Sequence, residues 1–341
     1  MNLIEIADCL IEKIKKDYNG DVSLVHVHGS YFYNDTHALS DLDLYFVPKT
    51  KRGYKLAMTF ILNGIGFDYW ALSWERLERI ASHEEKIVSL ITDGKILYYH
   101  SEEDLERFNK LKEKAGNYND KEKFVNNGKE KMNKMYKHYF KIVNSNDIVE
   151  IRKCTIEIID TLSFALAHLN CTRIKRGRKH LKDEISAMKL IPDEFENIYE
   201  KLFVENDTDK IKELLHTLII NTEKLFENSD KSTFLENFNG FYEEMIQHYN
   251  KIYHACETGD KYTPLFAGVE ITGEIEELFK RSGCSYKLPD MIGAYDPDNL
   301  DKIKVMAKNQ QEYLENVLKE NGVKLKVFND IGELRNYLEE I

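Results

Sequence analysis

The chain has 341 residues, of which 42% are hydrophobic and 31% charged, and its formal net charge is −11. This apolar content supports real hydrophobic cores beneath a well-solvated surface. The negative balance argues against nucleic acid as the main ligand, because proteins that bind it neutralise phosphates with a basic surface. A cationic partner is favoured instead.

Cysteine usage and the first residues bear on the compartment. The five cysteines are an odd number and widely spaced, which is neither a disulfide framework nor a zinc pattern. Acidic residues interrupt the apolar N-terminal stretch, which predicts an amphipathic helix and not a signal peptide. No apolar run has the length that a bilayer requires, so we expect a cytoplasmic protein without a membrane segment.

The first hundred residues alternate between helical and strand patterns. Asn19-Gly20 ends the first helix, and Gly29-Ser30 interrupts a run of β-branched residues. In chain order we predict a helix at 3–17, strands at 22–28 and 41–47, a helix at 53–63, a strand at 67–72, a helix capped by Ser73, a strand at 96–99 and a helix from Ser101 to about Lys114.

Helical patterns dominate the rest of the sequence. We predict helices near 121–144, 147–170, 178–189, 193–204, 208–228 and 231–256. Residues 257–300 contain prolines and glycines and are interpreted as an irregular connection around one short helix at 273–281. A helix at 298–320, a short alternating strand at 323–328 and a last helix at 331–340 complete the chain.

These elements predict an α/β N-terminal domain with a small mixed sheet, followed by a mainly α-helical domain. The polar stretch around residue 116 is the best candidate for a boundary. We therefore expect domains at 1–115 and 116–256, with 257–341 as a C-terminal α/β extension or a continuation of the helical domain.

The most informative pattern is His28-Gly29-Ser30, ten intervening residues and then Asp41-Leu42-Asp43-Leu44. Side chains two apart on a strand share a face, so Asp41 and Asp43 project together while the leucines face the core. Neighbouring carboxylates repel unless a cation lies between them. Mg²⁺ suits such a pair because it prefers oxygen ligands and shares its shell with phosphates.

The residues before the two acids suit a phosphate. Gly29 lets the backbone approach an anion closely, and a helix starting at Tyr31 would direct free N–H groups at it. The hydroxyl of Ser30 adds another donor. Gly29 and Ser30 are therefore the predicted nucleotide-binding residues.

Asp68 is the candidate for a third carboxylate. It lies in the apolar run Phe67-Asp68-Tyr69-Trp70, where an unpaired buried acid would be costly. In a strand next to the first two acids it would face the same cleft. The alternative is a solvated hairpin whose acids cap a turn, which leaves Asp68 unexplained.

These residues resemble the signature of the polymerase-β nucleotidyltransferase superfamily: Gly-Ser, a spacer, Asp-x-Asp and a later strand acid. His28 departs from it, since an apolar residue is usual there. The resemblance covers about residues 1–100, and the later helices are more weakly similar to the accessory domain of small-molecule enzymes such as the kanamycin and lincosamide nucleotidyltransferases.

The resemblance implies an enzyme that transfers a nucleoside monophosphate, such as AMP from ATP, to a hydroxyl of a small molecule. It implies that Asp41, Asp43 and Asp68 are catalytic and bind two Mg²⁺ ions, with Asp68 as a ligand or base. Glu157 or Asp160 is an alternative base. The sharpest acceptor hypothesis is a cationic aminoglycoside-like antibiotic, hence a role in antibiotic resistance, and the resemblance also implies a homodimer.

Other interpretations stay open at this point. The acceptor could be a protein or an RNA end, for which the basic run from Arg173 to Lys182 would speak, although that run is equally typical of a solvated helix connection. The chain could also be a non-catalytic regulatory module of the same fold. His26 and His28 are interpreted as packed or cleft-edge histidines, and the aromatic run from Phe234 to Tyr249 as core.

Overall fold

The computed structural model describes residues 2–227 and 232–339. Its internal contacts divide the chain into two compact units, Met1–Phe226 and Glu227–Ile341. The predicted limits after residues 115 and 256 both fall inside a unit. Within the described ranges, no helix has both the length and the apolar character that crossing a membrane requires.

The first part of unit one combines five strands with short and medium helices. Ser73 accepts a hydrogen bond from the N–H of Arg76 and begins a helix as predicted. The elements are α1 (Ile4–Asp17), β1 (Val22–Val27), α2 (Gly29–Phe32), β2 (Leu44–Pro48), β3 (Met58–Leu62), β4 (Ile65–Ala71), α3 (Trp74–Ala81), α4 (Ser89–Thr92), β5 (Lys95–Tyr99) and α5 (Glu102–Ala115).

The strands form one mixed sheet in the order β3-β4-β2-β1-β5. Strand β1 pairs antiparallel with β2 and β5, β4 pairs antiparallel with β3, and β2 and β4 are parallel. The small mixed sheet expected for the N-terminal region is confirmed.

Both faces of the central strands are buried, because consecutive side chains point alternately to the two faces and nearly all of them are apolar. One face carries Val25, Leu44 and Phe46 and packs against α1 through residues such as Leu10. The other face carries Leu24, Tyr45 and Val47 and packs with side chains of α3 and α5, among them Leu77 and Phe108.

The remainder of unit one is helical. The helices are α6 (Lys121–Val143), α7 (Ile148–Leu169), α8 (Leu181–Ser186), α9 (Phe195–Val204) and α10 (Thr208–Glu227), with a 3-10 turn at Arg178–His180. Helices α6 and α7 pack closely because Gly128 has no side chain: a Cβ there would lie 2.7 Å from the ring of Phe226 and 3.2 Å from the carbonyl oxygen of Ala165.

Unit two contains helices and no strand in its described residues. Its helices are α11 (Phe234–Phe238), α12 (Phe241–Thr258), α13 (Thr263–Arg281), α14 (Asp301–Glu320) and α15 (Ile331–Glu339). Phe238, Tyr242 and Tyr249 are buried in its core, as expected for an aromatic run at helical spacing.

Two sequence expectations for the sheet were wrong. Residues 53–63 do not form a helix but a 3-10 turn at Gly53–Leu56 followed by β3. Asn63 and Gly64 adopt positive φ angles of 52° and 79°, and this turn closes a hairpin between β3 and β4. Strand β2 begins at Leu44, so Asp41 and Asp43 precede it, although Leu42 is buried as expected.

The predictions for unit two also need correction. Residues 257–300 contain a helix of 19 residues, α13, which includes the predicted short helix at 273–281. It starts earlier because Pro264 lies in its first turn, where a proline is compatible with a helix. Residues 323–328 form no strand. The helix predicted for 231–256 is interrupted at Gly240, whose φ of 81° ends α11 before α12 starts; residue 231 lies outside the described residues.

Candidate active site

Two of the three predicted acids line one open cleft, and Asp68 is not among its lining residues. Asp41 and Asp43 line it together with His28, Gly29 and Ser30. The cleft measures about 730 Å³, which is within the usual range for ligand sites. All of its lining residues belong to unit one.

Asp68 lies on β4, near the other two acids. Strands β2 and β4 run parallel with Tyr45 paired to Trp70, and Asp43 lies just before β2. The carboxylate of Asp68 adds to the effects of burial and of Asp41 that raise the pKa of Asp43. Asp68 is exposed, which corrects the expectation of a buried third acid. The apolar neighbour Phe67 turns to the opposite, buried face.

Gly29 and Ser30 hold Asp43 in place. Gly29 has a φ of 68°, which turns the chain out of β1 and into the single helical turn α2. The backbone N–H of Ser30 donates a hydrogen bond to the carboxylate of Asp43. The N–H of His28 donates to the carbonyl oxygen of Asp43 at 2.9 Å, which continues the ladder of β1 and β2. The helical turn starts at Gly29 and not at Tyr31 as expected, and the N–H of Ser30 within it binds an acid of the site.

The carboxylates of the three acids repel one another, and those of Asp43 and Asp68 are partly buried. Burial, and next the nearby carboxylate of Asp41, raise the pKa of Asp43 above its ordinary value. Burial and Asp41 also raise the pKa of Asp68. No ion pair is formed by these three acids anywhere in the described ranges 2–227 and 232–339, so the protein itself supplies no counter-ion.

The carboxylates of Asp41 and Asp43 are compatible with a metal ion that enters the cleft bound to the phosphates of a nucleotide. Among the described residues, no three His, Cys, Asp or Glu side chains are gathered closely enough to hold a metal ion by themselves. Mg²⁺ takes one or two carboxylates from a protein and fills its remaining positions with water and phosphate oxygens. Asp41 and Asp43 line the cleft and form no ion pair, so each offers carboxylate oxygens as metal ligands.

A second part of the cleft lining is cationic. It consists of residues 175–180, here called the basic loop, which connects α7 to α8. Lys175, Arg176, Arg178 and Lys179 are exposed. Within the described part of the chain, the side chains of Lys175 and Arg178 have no hydrogen-bond or ion-pair partner. The structure thus places the run that sequence reasoning left undecided in the lining of the same cleft as Asp41 and Asp43.

Several contacts anchor the basic loop to the sheet domain. Arg173, just before it, makes two hydrogen bonds of 2.8 Å to the carboxylate of Asp93. At its end, Lys179 and His180 contact Asp35 at 2.9 Å and 2.5 Å. In between, the guanidinium of Arg176 lies 5.0 Å from the ring centre of Tyr33.

A carboxylate from α8 sets the backbone of the basic loop. The N–H groups of Lys175 and Arg176 donate to Glu184 at 2.7 Å and 2.6 Å. These bonds occupy the main-chain donors at the start of the loop and leave its long cationic side chains directed to solvent and the cleft. The basic loop is therefore held in place by specific hydrogen bonds and is not an unsupported connection.

The two strand histidines occupy different places. His26 is fully buried beside Tyr45 and Phe108, and burial lowers its pKa to about 3. His28 reaches the cleft edge, and burial lowers its pKa to about 4. Both are neutral at neutral pH, in agreement with the interpretation as packed and cleft-edge residues and not as a metal pair.

The alternative bases do not reach the cleft. Glu157 and Asp160 are absent from its lining, and Asp160 instead forms an ion pair of 2.7 Å with Lys86. Sequence reasoning had no signal for the contribution of Tyr33 and Asp35, because their roles depend on a loop more than 130 residues away.

Comparisons with known proteins find a structural likeness to the nucleotidyltransferase-like protein from Exiguobacterium sibiricum 255-15. The two chains are 12% identical, the match covers 71% of this chain and 80% of the other, and the TM-score is 0.39. The sequence matches no family model and no curated protein.

Proposed function

We propose that this protein is a metal-dependent nucleotidyltransferase that moves a nucleoside monophosphate, such as AMP from ATP, to the hydroxyl of a small molecule. One observation carries the proposal: a single cleft is lined both by carboxylates without ion-pair partners, Asp41 and Asp43, and by cations without such partners, Lys175 and Arg178. A metal–triphosphate complex has the matching charge pattern, with cations on one side of the phosphates and free anionic oxygens on the other.

The acids provide the metal side of this complex. Asp41 and Asp43 would hold Mg²⁺, and binding it removes the repulsion that raises the pKa of Asp43. When bound, Mg²⁺ withdraws charge from the phosphates and aligns them for displacement. Gly29 and Ser30 fix the carboxylate of Asp43 and lie close enough to the cleft to contact a phosphate.

The basic loop provides the phosphate side. Lys175 and Arg178 are free to form charge-assisted hydrogen bonds with non-bridging phosphate oxygens. Lys179 is less available because Asp35 already neutralises it. The loop would thus stabilise the charge that accumulates on the departing pyrophosphate.

Asp68 is the proposed proton acceptor. The oxygen of the acceptor hydroxyl forms a bond to the α-phosphorus, the bond from that phosphorus to the bridging oxygen breaks, and pyrophosphate leaves. The hydroxyl proton passes to the carboxylate of Asp68. Its raised pKa makes it a better base than an ordinary aspartate.

Isothermal titration of Mg²⁺–ATP into wild type and the Asp41→Asn/Asp43→Asn variant tests the proposal. We expect binding by wild type that needs both the metal and the acids. The exposed pair Lys13 and Asp17 offers a matched control, since Asp17→Asn removes an acid outside the cleft. Failure of wild type to bind any Mg²⁺–nucleoside triphosphate would contradict the proposal and favour a non-catalytic module.

A second titration tests the basic loop. The Lys175→Gln/Arg178→Gln variant should lose affinity for ATP by roughly tenfold or more, because each charged hydrogen bond contributes about 1.5–3 kcal/mol. It should lose much less affinity for AMP, which lacks the β- and γ-phosphates. Equal losses for both nucleotides would show that the loop does not contact the terminal phosphates.

A further inference from the structure

Asp35 differs from the other two carboxylates of the cleft lining, Asp41 and Asp43, because cations already bind it. It accepts a hydrogen bond of 2.9 Å from Nζ of Lys179 and one of 2.5 Å from Nε2 of His180. These two bonds lower the pKa of Asp35 to about 2, so its carboxylate is charged throughout the neutral range. Asp35 is therefore a contact point for the end of the basic loop.

The main chain of Asp35 leads to the turn that holds Asp43. Asn34 ends α2 with a φ of 54°, and the N–H of Asp35 then donates a hydrogen bond of 3.0 Å to the carbonyl oxygen of Ser30. The N–H of Ser30 in turn donates to the carboxylate of Asp43. A continuous series of hydrogen bonds thus joins Asp43, through Ser30 and Asp35, to the basic loop.

On the side of the basic loop, Asp35 binds a closed turn. Residues Arg178–His180 form a 3-10 turn, in which the N–H of His180 donates to the carbonyl oxygen of Gly177 at 3.0 Å. Arg178 is the first residue of this turn, and its exposed side chain has no partner within the described ranges. Because Asp35 binds the last two side chains of the turn, it fixes where Arg178 lies relative to Asp43.

Tyr33 adds a second contact between the same two parts of the cleft. The guanidinium of Arg176 lies 5.0 Å from its ring centre, and its hydroxyl lies 3.4 Å from the carbonyl oxygen of Lys175. These contacts are longer than those of Asp35, and Glu184 already holds the main chain of this part of the loop. Asp35 is therefore the better residue with which to test the connection.

We propose that Asp35 is a positioning residue, which holds Arg178 at a fixed distance from Asp43 so that one metal–triphosphate complex contacts both. This inference rests on the proposed nucleotidyl transfer and concerns the geometry of the same site. A site whose charged groups are already in place loses less conformational entropy when its ligand binds. Asp35 thus favours triphosphates over monophosphates, because only the longer phosphate chain extends from the metal to Arg178.

Calorimetric titration of Mg²⁺–ATP into the full-length Asp35→Asn variant tests the proposal. Charge alone predicts tighter binding, since the change removes a negative charge from a cleft that binds a polyanion and releases Lys179. We expect the opposite, a loss of affinity of roughly fivefold or more, which is typical of coupling between two groups. The affinity for Mg²⁺–AMP should change little, which also shows that the variant folds. Asp35→Glu keeps the charge and should restore much of the affinity for Mg²⁺–ATP.

A double-mutant cycle shows whether Asp35 acts through Arg178. Arg178→Gln removes the proposed phosphate contact directly. If Asp35 only places that side chain, adding Asp35→Asn to the Arg178→Gln protein should weaken Mg²⁺–ATP binding by less than roughly twofold, because the effects of coupled residues do not add. Equal losses in both backgrounds would show that Asp35 contacts the nucleotide or the metal itself, which contradicts a positioning role.

The matched control is Asp21→Asn. Asp21 also binds a cation and a neighbouring side chain, Arg52 at 2.8 Å and Thr50 at 2.5 Å, but it is not part of the cleft lining. Its replacement should leave Mg²⁺–ATP binding unchanged. Unchanged or tighter binding by Asp35→Asn would overturn the positioning role and leave nucleotidyl transfer intact. Failure of wild type to bind Mg²⁺–ATP contradicts nucleotidyl transfer itself, so the two failures are distinguishable.

Discussion

Gly29 and Asp43 are packed so closely that a Cβ on residue 29 would lie 1.9 Å from Oδ2 of Asp43. No residue with a side chain fits there without moving the carboxylate of Asp43. The φ of 68° at Gly29 adds a second requirement for glycine. The turn after β1 and the position of the acid are thus one structural unit.

Replacing Gly29 by Ala should therefore disable the proposed nucleotide site while the sheet remains folded. We expect affinity for Mg²⁺–ATP to fall by roughly tenfold to a hundredfold, because misplaced site groups have effects of that size. Calorimetric titration measures the loss. The matched control is Gly20→Ala, which also has a positive φ of 88° but whose nearest neighbour would be 3.9 Å away. Equal effects of the two changes would assign the loss to backbone strain alone.

Replacing Asp43 by Asn should stabilise the ligand-free protein. The pKa of Asp43 is raised in the folded state, first by burial and then by Asp41, so its charged form costs stability at every pH above the ordinary range of an aspartate. The neutral amide removes that cost and can still accept the bond from Ser30. We expect Tm to rise by roughly 2–4 °C for each kcal/mol gained.

Asp93→Asn provides the comparison, because it should change Tm in the opposite direction to Asp43→Asn. Burial works to raise the pKa of Asp93, but hydrogen bonds from Arg173 outweigh it and hold the pKa below its ordinary value. That carboxylate stabilises the fold at neutral pH, and its loss should lower Tm in differential scanning fluorimetry. A higher Tm for Asp93→Asn, or a lower one for Asp43→Asn, would contradict this account of the two acids.

Acid should destabilise the protein through His26. Its pKa is about 3 in the folded state, against an ordinary value of 6.5, and neither ring nitrogen has a hydrogen-bond partner within the described structure. The unfolded chain takes up a proton as pH falls below 6.5 while the folded chain does not. Stability should therefore decrease from pH 6.5 downwards until the folded pKa is reached.

Urea unfolding at pH 7 and pH 5 measures this effect. His26→Leu should lose about 2 kcal/mol less than wild type over that interval, since each pH unit below 6.5 costs about 1.4 kcal/mol. The exposed His100 offers the control, and His100→Gln should keep the pH dependence of wild type. An unchanged dependence in His26→Leu would show that other groups govern the acid response.

The elements that strong local patterns specify were predictable. The β-branched run at Val22–Val27, the cap at Ser73 and the amphipathic spacing of α1 all form as expected. Strand β3 was missed because its apolar residues also fit a helical spacing, and the Asn63-Gly64 turn signal was not weighed. Only the C-terminal part of α13, residues 273–281, was predicted, because the proline and glycines before it indicated an irregular connection, although Pro264 lies in the first turn of the helix.

The acid side of the candidate site was more accessible to sequence reasoning than the cationic side. The alternation at Asp41 and Asp43 directly indicates a shared face, and the structure places both in the cleft. The exposure of Asp68 depends on what covers the hairpin, which no local pattern encodes. The position of Lys175 and Arg178 depends on long-range packing of α7, for which the sequence offers no periodic signal.

The anchoring of the basic loop has a consequence for how this protein can be divided. The cationic part of the cleft lining comes from the basic loop after α7, whereas Asp41 and Asp43 lie within the first 115 residues, which contain the whole sheet. A fragment limited to those residues would retain the acids and the sheet but only half of the cleft. Grafting of that fragment onto another scaffold would transfer the acids of the cleft without the cations of the basic loop.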